Sequence, residues 1–279
     1  MAAQRAERGT ELHPLSRARH SYLSELYRLR TLLLEGKQYL ISVVIPTLNE
    51  EKLLPQILEQ FPKDLCTRHE VELIISDGGS SDATVELARM RGAVVVEHDA
   101  EHRQTIAEGR NRGAEVANGD VLVFINADIR INDTDHFLSA CASILGGPVV
   151  SGATAVVHVF PEEEKLSDRL FHLWHNQYVR FLNLIGEGMG RGECQVISAD
   201  LFRRIGGYNA GMVAGEDYDL FRRTRKHGRI VMLPGVVIYE SPRRFRKYGY
   251  LHILWGWTRN ALAVIFRNSS SSEEWEAVR

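Results

Sequence analysis

Short apolar runs and polar loops alternate with segments of helical periodicity through the first half of this chain. Residues 41–45, 71–75, 93–97 and 121–125 are apolar and rich in β-branched side chains, the pattern of strands buried on both faces. The first run stops at Pro46; Asn49 suits a helix N-cap there, with Glu50 and Glu51 in the first turn. After the second, Asp82 suits the cap of a helix carrying Val85, Leu87 and Ala88, and a further helix is expected over 103–118. Strand, polar loop and helix repeated in this way predict an α/β fold. Its Rossmann-like, mostly parallel sheet is flanked by helices and joined by right-handed crossovers.

Beyond residue 131 the pattern predicts a strand over 149–160, a helix over 166–184 and a glycine-rich loop over 186–192 that reads as a lid. Glu193 to Val196 re-enter the fold; a short helix over 199–202, a turn at 206–209 and a strand over 236–239 follow. The ends look like additions. Residues 1–38 suit one amphipathic helix with Arg17, Arg19, Arg28 and Arg30 on its flank, which reads as packing on the domain or on a second copy. Residues 241–279 hold a basic segment and a helix over 251–266. The domain reading is therefore 1–38, 39–240 (divided into 39–130 and 131–240) and 241–279.

Composition removes several classes of function. The chain has 279 residues, 44% hydrophobic and 25% charged, with a net charge of -2 that gives no reason to expect a nucleic-acid partner. Cys66, Cys141 and Cys194 are too scattered for a disulfide framework or a zinc site and read as small buried hydrophobes. No apolar run reaches the ~18 residues of a membrane span, and the first residues lack an apolar signal core. A cytoplasmic protein is the expectation. The helix over 251–266 beside its basic neighbour suits core packing, a homodimer contact or the inner face of a membrane.

Candidate chemistry gathers at the predicted strand ends. Asn126-Ala127-Asp128 follows the 121–125 run directly, and residues two apart in an extended segment point the same way. Asp128 suits a Mg²⁺ or Mn²⁺ ion completed by phosphate oxygens, and equally a helix or turn cap. The loop from Ser76 to Asp82 permits close backbone approach to a ligand, and Asp77 suits a base N–H or ribose hydroxyl; an ordinary turn has the same composition. Gly109 and Gly113 suggest close packing or ligand access, and Arg110 suits a bidentate phosphate contact, with a snorkelling surface arginine as the other reading. Neither a G-x-G-x-x-G turn after the first strand nor a P-loop is present. His172 and His175 lack a third metal ligand.

Four segments, S-V-V-I-P-T-L-N-E-E, I-I-S-D-G-G-S-S-D-A-T, G-R-N-R-G-A and V-L-V-F-I-N-A-D, together resemble the nucleotide-sugar half of a family 2 glycosyltransferase with the GT-A fold. The resemblance covers roughly residues 40 to 240. It implies a UDP- or GDP-sugar donor, transfer to an acceptor hydroxyl with inversion, and a divalent metal. Pro46, Thr47, Glu50, Asp77, Arg110, Asn126 and Asp128 would line the donor pocket, with Asp128 as the metal ligand. Asn126 stands where the family's D-x-D motif has its first aspartate, which removes one negative charge. The match gives Asp217 as the base, Glu216 as its neighbour and Asp219 a structural role; an acidic helix N-terminus would look the same. Arg243 and Arg244 suit the leaving diphosphate or an anionic acceptor, and equally solvated charge. A retaining transferase on the same fold and a non-catalytic nucleotide-binding scaffold remain the alternatives.

Overall fold

The computed structural model divides into two compact units, Met1–Lys37 and Gln38–Arg279, and describes residues 39–99, 101–144 and 149–267. The helix expected over 1–38 and the serine-rich end from Asn268 lie outside the described residues. Eight strands are described: β1 (Ile41–Thr47), β2 (Val71–Asp77), β3 (Val94–Glu97), β4 (Val121–Ile125), β5 (Ile129–Ile131), β6 (Val150–Val159), β7 (Cys194–Ser198) and β8 (Arg229–Glu240). They form one sheet in the order β3-β2-β1-β4-β7-β6-β8-β5.

The first four strands are parallel, as the repeated strand–helix pattern requires. β7 then pairs antiparallel with both β4 and β6, so the second half of the sheet is mixed. All five side chains of β4 are fully buried. Val121, Val123 and Ile125 face one apolar layer, and Leu122 and Phe124 the other, because successive side chains in a strand alternate faces. Helix Ile106–Val116 seats on β1 through Gly113, where a Cβ would fall 2.3 Å from Val44 Cγ1. The sequence reading of that glycine as a close-packing site is correct.

Element ends differ from the sequence reading in physically simple ways. Asn49 caps no helix: it sits at φ 52°, and its Oδ1 accepts from Ser81 N (2.7 Å). The helix starts later, at Leu54–Glu59, where Pro55 occupies the first turn and needs no N–H partner. Glu50 and Glu51 therefore lie in the preceding turn. Asp82 does serve the next helix, accepting from Thr84 N (3.0 Å) although Ala83 holds the cap position. Thr105 and Glu108 form a capping box that starts the helix at Ile106 rather than near 103. β8 is longer than the stretch over 236–239, because it continues past Pro234-Gly235 through a register shift against β6. β5 was not foreseen; it turns straight back after Asp128 and pairs Ile129 with Glu240. Among the described residues, no helix is long and apolar enough to cross a membrane.

Candidate active site

The C-terminal ends of β1, β2 and β4 form one rim, where an open α/β sheet binds ligands. Thr47 and Asp77 are register partners there, and Thr47 Oγ1 donates to Asp77 Oδ1 (3.1 Å). Asp77 is buried and accepts through Oδ2 from the amides of Gly79 (2.9 Å) and Ser80 (2.7 Å). Its carboxylate shapes its own loop at the rim where a contact to a base or ribose is expected. The loop is knitted to the end of β1: Asn49 N donates to Ser80 Oγ (2.7 Å) and Glu50 N to Thr84 Oγ1 (2.8 Å). Pro46 and Glu50 remain half-exposed on this rim.

Arg110 is neither a surface arginine nor an open phosphate fork. It is 1% exposed, so the surface reading is corrected. Its Nη1 donates to Glu216 Oε1 (2.9 Å), and its Nη2 to the Gly192 carbonyl (2.8 Å) and to Asn126 Oδ1 (3.2 Å). One guanidinium therefore holds together the strand end at Asn126, the loop before β7 and the start of helix Glu216–Arg225. The planar donor fork suits such a triple contact, and burial strengthens it. Asn126 presents its carbonyl oxygen inward to Arg110, which fixes its amide.

The acidic pair lies at that helix start. Glu216 is buried, and its pKa is raised to about 7 by burial and by the charge of Asp217, against the pull of Arg110. Burial also raises Asp217, with Glu193 adding to the effect and Arg110 opposing it. Asp217 Oδ1 accepts from Tyr218 N (2.8 Å), and Oδ2 lies 3.3 Å from where a Cβ on Gly192 would sit. Asp219 accepts from Arg223 Nε (2.9 Å) and is structural, as its context suggested.

Asp128 and Arg243 form an ion pair, Nη2 to Oδ2 at 2.9 Å, with side chains 27% and 28% exposed. Desolvation raises the Asp128 pKa and Glu193 adds to it, while Arg243 lowers it. Arg244 is half-buried on the same short helix, Arg243–Tyr248. Among the described residues no group of three or more His, Cys, Asp or Glu could hold a metal ion. Asp128 offers a partly exposed hard oxygen, and such a donor fits a cation whose other ligands are phosphate oxygens.

Charged residues that sequence reasoning passed over stand behind this cleft. Arg191 is buried; it donates from Nε to Glu193 Oε2 (3.0 Å), from Nη2 to Glu240 Oε1 (3.0 Å) and from Nη1 to His175 Nδ1 (2.8 Å). Arg191 holds the Glu193 pKa down near 2 against burial. Burial and the Glu193 charge push Glu240 well up. His172 and His175 are buried neutral imidazoles, with pKa values lowered by burial to about 3 and about 2. The available signal was a charged R-G-E triplet set against the apolar run of β7. The loop read as a lid is pinned: a Cβ on Gly190 would lie 2.1 Å from the Phe221 ring, and Asn183 exchanges two hydrogen bonds with the Met189 backbone. Its glycines permit close approach to helix Glu216–Arg225.

Residues 42–206 match the family model "Glycosyl transferase family 2". A Mycobacterium bovis BCG protein, "PGL/p-HBAD biosynthesis glycosyltransferase", is 32% identical over 108 residues, 38% of this chain and 41% of that one. The Staphylococcus haemolyticus "4,4'-diaponeurosporenoate glycosyltransferase" is 28% identical over 80% of this chain and 61% of its own length. The chain thus spans less than two thirds of either relative. Among solved structures, a Pyrobaculum calidifontis mannosyltransferase in complex with GDP-Man and Mn²⁺ superposes with a TM-score of 0.61 at 20% identity, covering 88% of this chain and 71% of that one. Glucosyl-3-phosphoglycerate synthase from Mycobacterium tuberculosis, with Mn²⁺, UDP and glucosyl-3-phosphoglycerate, gives 0.54 at 21% identity, covering 83% of this chain and 80% of that one. The fold is that of the GT-A glycosyltransferases, and the chain belongs to glycosyl transferase family 2.

Proposed function

We propose that this family 2 member transfers a sugar from a UDP- or GDP-sugar to an acceptor hydroxyl with inversion. One observation carries the reading: Arg110 bridges Asn126, beside Asp128, to Glu216, beside Asp217. One buried guanidinium thereby ties the strand end that carries Asp128 to the helix start that carries Asp217. Inversion needs a base on the face of the anomeric carbon away from the leaving diphosphate, and the two tied segments supply one carboxylate for each side of the reaction.

In this mechanism Asp217 takes the acceptor proton as the new carbon–oxygen bond forms and the bond to the diphosphate breaks. Its raised pKa makes it a stronger base than an ordinary aspartate. Glu216, tied to Arg110, fixes the helix start that carries it. Asp128 would hold Mg²⁺ or Mn²⁺, which would supply charge neutralisation for the leaving diphosphate. Arg243, now on Asp128, lies where it can also meet that diphosphate. Pro46, Thr47 and Glu50, with the loop shaped by Asp77, form the rim for the nucleotide. The Asn126 amide is oriented by Arg110 for a ribose hydroxyl.

A thermal-shift titration with UDP and GDP, with and without Mn²⁺, tests the donor site, since selective binding raises the Tm. No shift with either nucleotide would refute it. NMR of the product anomer tests inversion; a retained configuration would remove Asp217 from the role of base.

A further inference from the structure

Two helices expose more apolar surface than packing accounts for. Helix Leu166–Ile185 buries His172, His175, Asn176 and Val179, yet turns Leu170, Phe181 and Leu184 outward, with Leu184 83% exposed. Helix Tyr250–Arg267 buries Ile253, Ala263 and Val264 and turns out Leu251 and Trp255, 83% and 67% exposed. Phe171 meets Tyr250 with ring centroids 4.5 Å apart, and His175 stacks on Trp257 at 5.1 Å. Phe171 also reaches Trp257 at 6.1 Å, so the first half of each helix packs on the other. At helical spacing, both exposed rows then fall on the solvent side of that seam. Asp168 bolts the pair together, accepting from Arg246 Nη1 (2.6 Å) and from the Tyr250 hydroxyl.

The charges on these two helices are mainly cations, with Glu162, Glu163 and Glu164 before the first helix and Glu187 after it. Residues 241–267 carry six Lys or Arg and no Asp or Glu, in a chain whose net charge is -2; of these, Arg243 and Arg246 are paired with Asp128 and Asp168. Exposed Arg169 and Arg180 flank the apolar row of the other helix, whose one acid, Asp168, is buried. Exposed apolar rows of this kind mark an interaction surface. Leu, Phe and Trp bordered by arginines match the interfacial zone of an anionic bilayer, which accepts the apolar row and attracts the cations. A second copy fits less well, since a self-complementary contact sets the same cations against each other. The chain's own N-terminal segment brings further arginines, Arg17, Arg19, Arg28 and Arg30.

We propose that the paired helices Leu166–Ile185 and Tyr250–Arg267 dock on an anionic lipid surface. Docking would act close to the proposed base, because a Cβ at Gly215 would lie 3.3 Å from Val264 Cγ2. The proposal stands independently of the transferase reading.

Cosedimentation of the full chain with phosphatidylcholine vesicles, with and without phosphatidylglycerol, provides the test. The wild type should pellet with the anionic vesicles alone, and less so as salt rises. Leu184→Ser with Trp255→Ser should weaken partitioning at least about tenfold, and Arg169→Gln with Arg180→Gln by about thirtyfold. All four positions are exposed, so melting temperature and nucleotide-induced Tm shifts, measured without vesicles, should stay as in the wild type. Those controls separate loss of docking from loss of the donor site. Absence of binding to anionic vesicles, or equal binding by wild type and variants, would overturn the proposal. So would a dimer in light scattering that the Leu184→Ser/Trp255→Ser variant dissociates, which would assign the face to a second copy.

Discussion

Replacing Arg110 by methionine keeps most of the side-chain volume but removes the guanidinium that joins Glu216, Gly192 and Asn126. Breaking a buried ion pair by deleting one partner costs about 3–5 kcal/mol, because the other charge stays behind. The cost depends on pH in a defined direction. Glu216 has a folded pKa of about 7, against about 4.3 for an unfolded glutamate. A carboxyl raised in this way contributes fully to stability below the unfolded value, and that contribution is lost as pH rises through the folded value. In the wild type the loss stops growing above about pH 7. In Arg110→Met the downward pull of the guanidinium is gone, so the folded pKa climbs and stability keeps falling by about 1.4 kcal/mol per pH unit beyond that point. Urea denaturation followed by circular dichroism between about pH 6 and 9 measures this slope directly. The double variant Arg110→Met/Glu216→Gln should lose the extra slope, since its glutamine cannot titrate. A single variant with wild-type stability and a wild-type pH profile would refute the assignment of Arg110 as the partner that holds Glu216.

Three further outcomes follow from the geometry. Asp217→Asn should lower kcat by roughly 10²–10⁴ while leaving the nucleotide-induced Tm shift unchanged, and the wild-type rate should fall with decreasing pH as the raised Asp217 takes up a proton. Asp128→Ala should abolish the Mn²⁺-dependent part of the Tm shift with UDP or GDP; a shift that persists would place the metal elsewhere. Gly190→Ala should destabilise the fold by about 1–3 kcal/mol in urea melts, because its methyl group would lie 2.1 Å from Phe221; an unchanged midpoint would show that the loop yields.

Hydrophobic patterning made the parallel half of the molecule readable. The strands over 41–45, 71–75 and 121–125 and the helix closed by Gly113 follow from local side-chain chemistry, which each segment carries with it. The second half was harder to read. β7 and β5 are short, and their places in the sheet depend on partners far along the chain: Phe124 pairs with Gln195, and Ile129 with Glu240. No local pattern encodes such a pairing.

The same division applies to the site. Asn126, Asp128, Glu216 and Asp217 were visible as polar residues placed directly after apolar runs or at a helix start. What the sequence by itself determined was therefore the α/β class, the rim and the acidic groups on it, because spacing and residue type set these locally. Tertiary structure alone decided what those groups touch. Arg110 is carried into the interior by helix Ile106–Val116, Asp77 is consumed by its own loop, and Arg243 crosses 115 residues of chain to reach Asp128. Burial then sets their charge: once water is excluded, a carboxylate's pKa depends on which cation the fold places beside it.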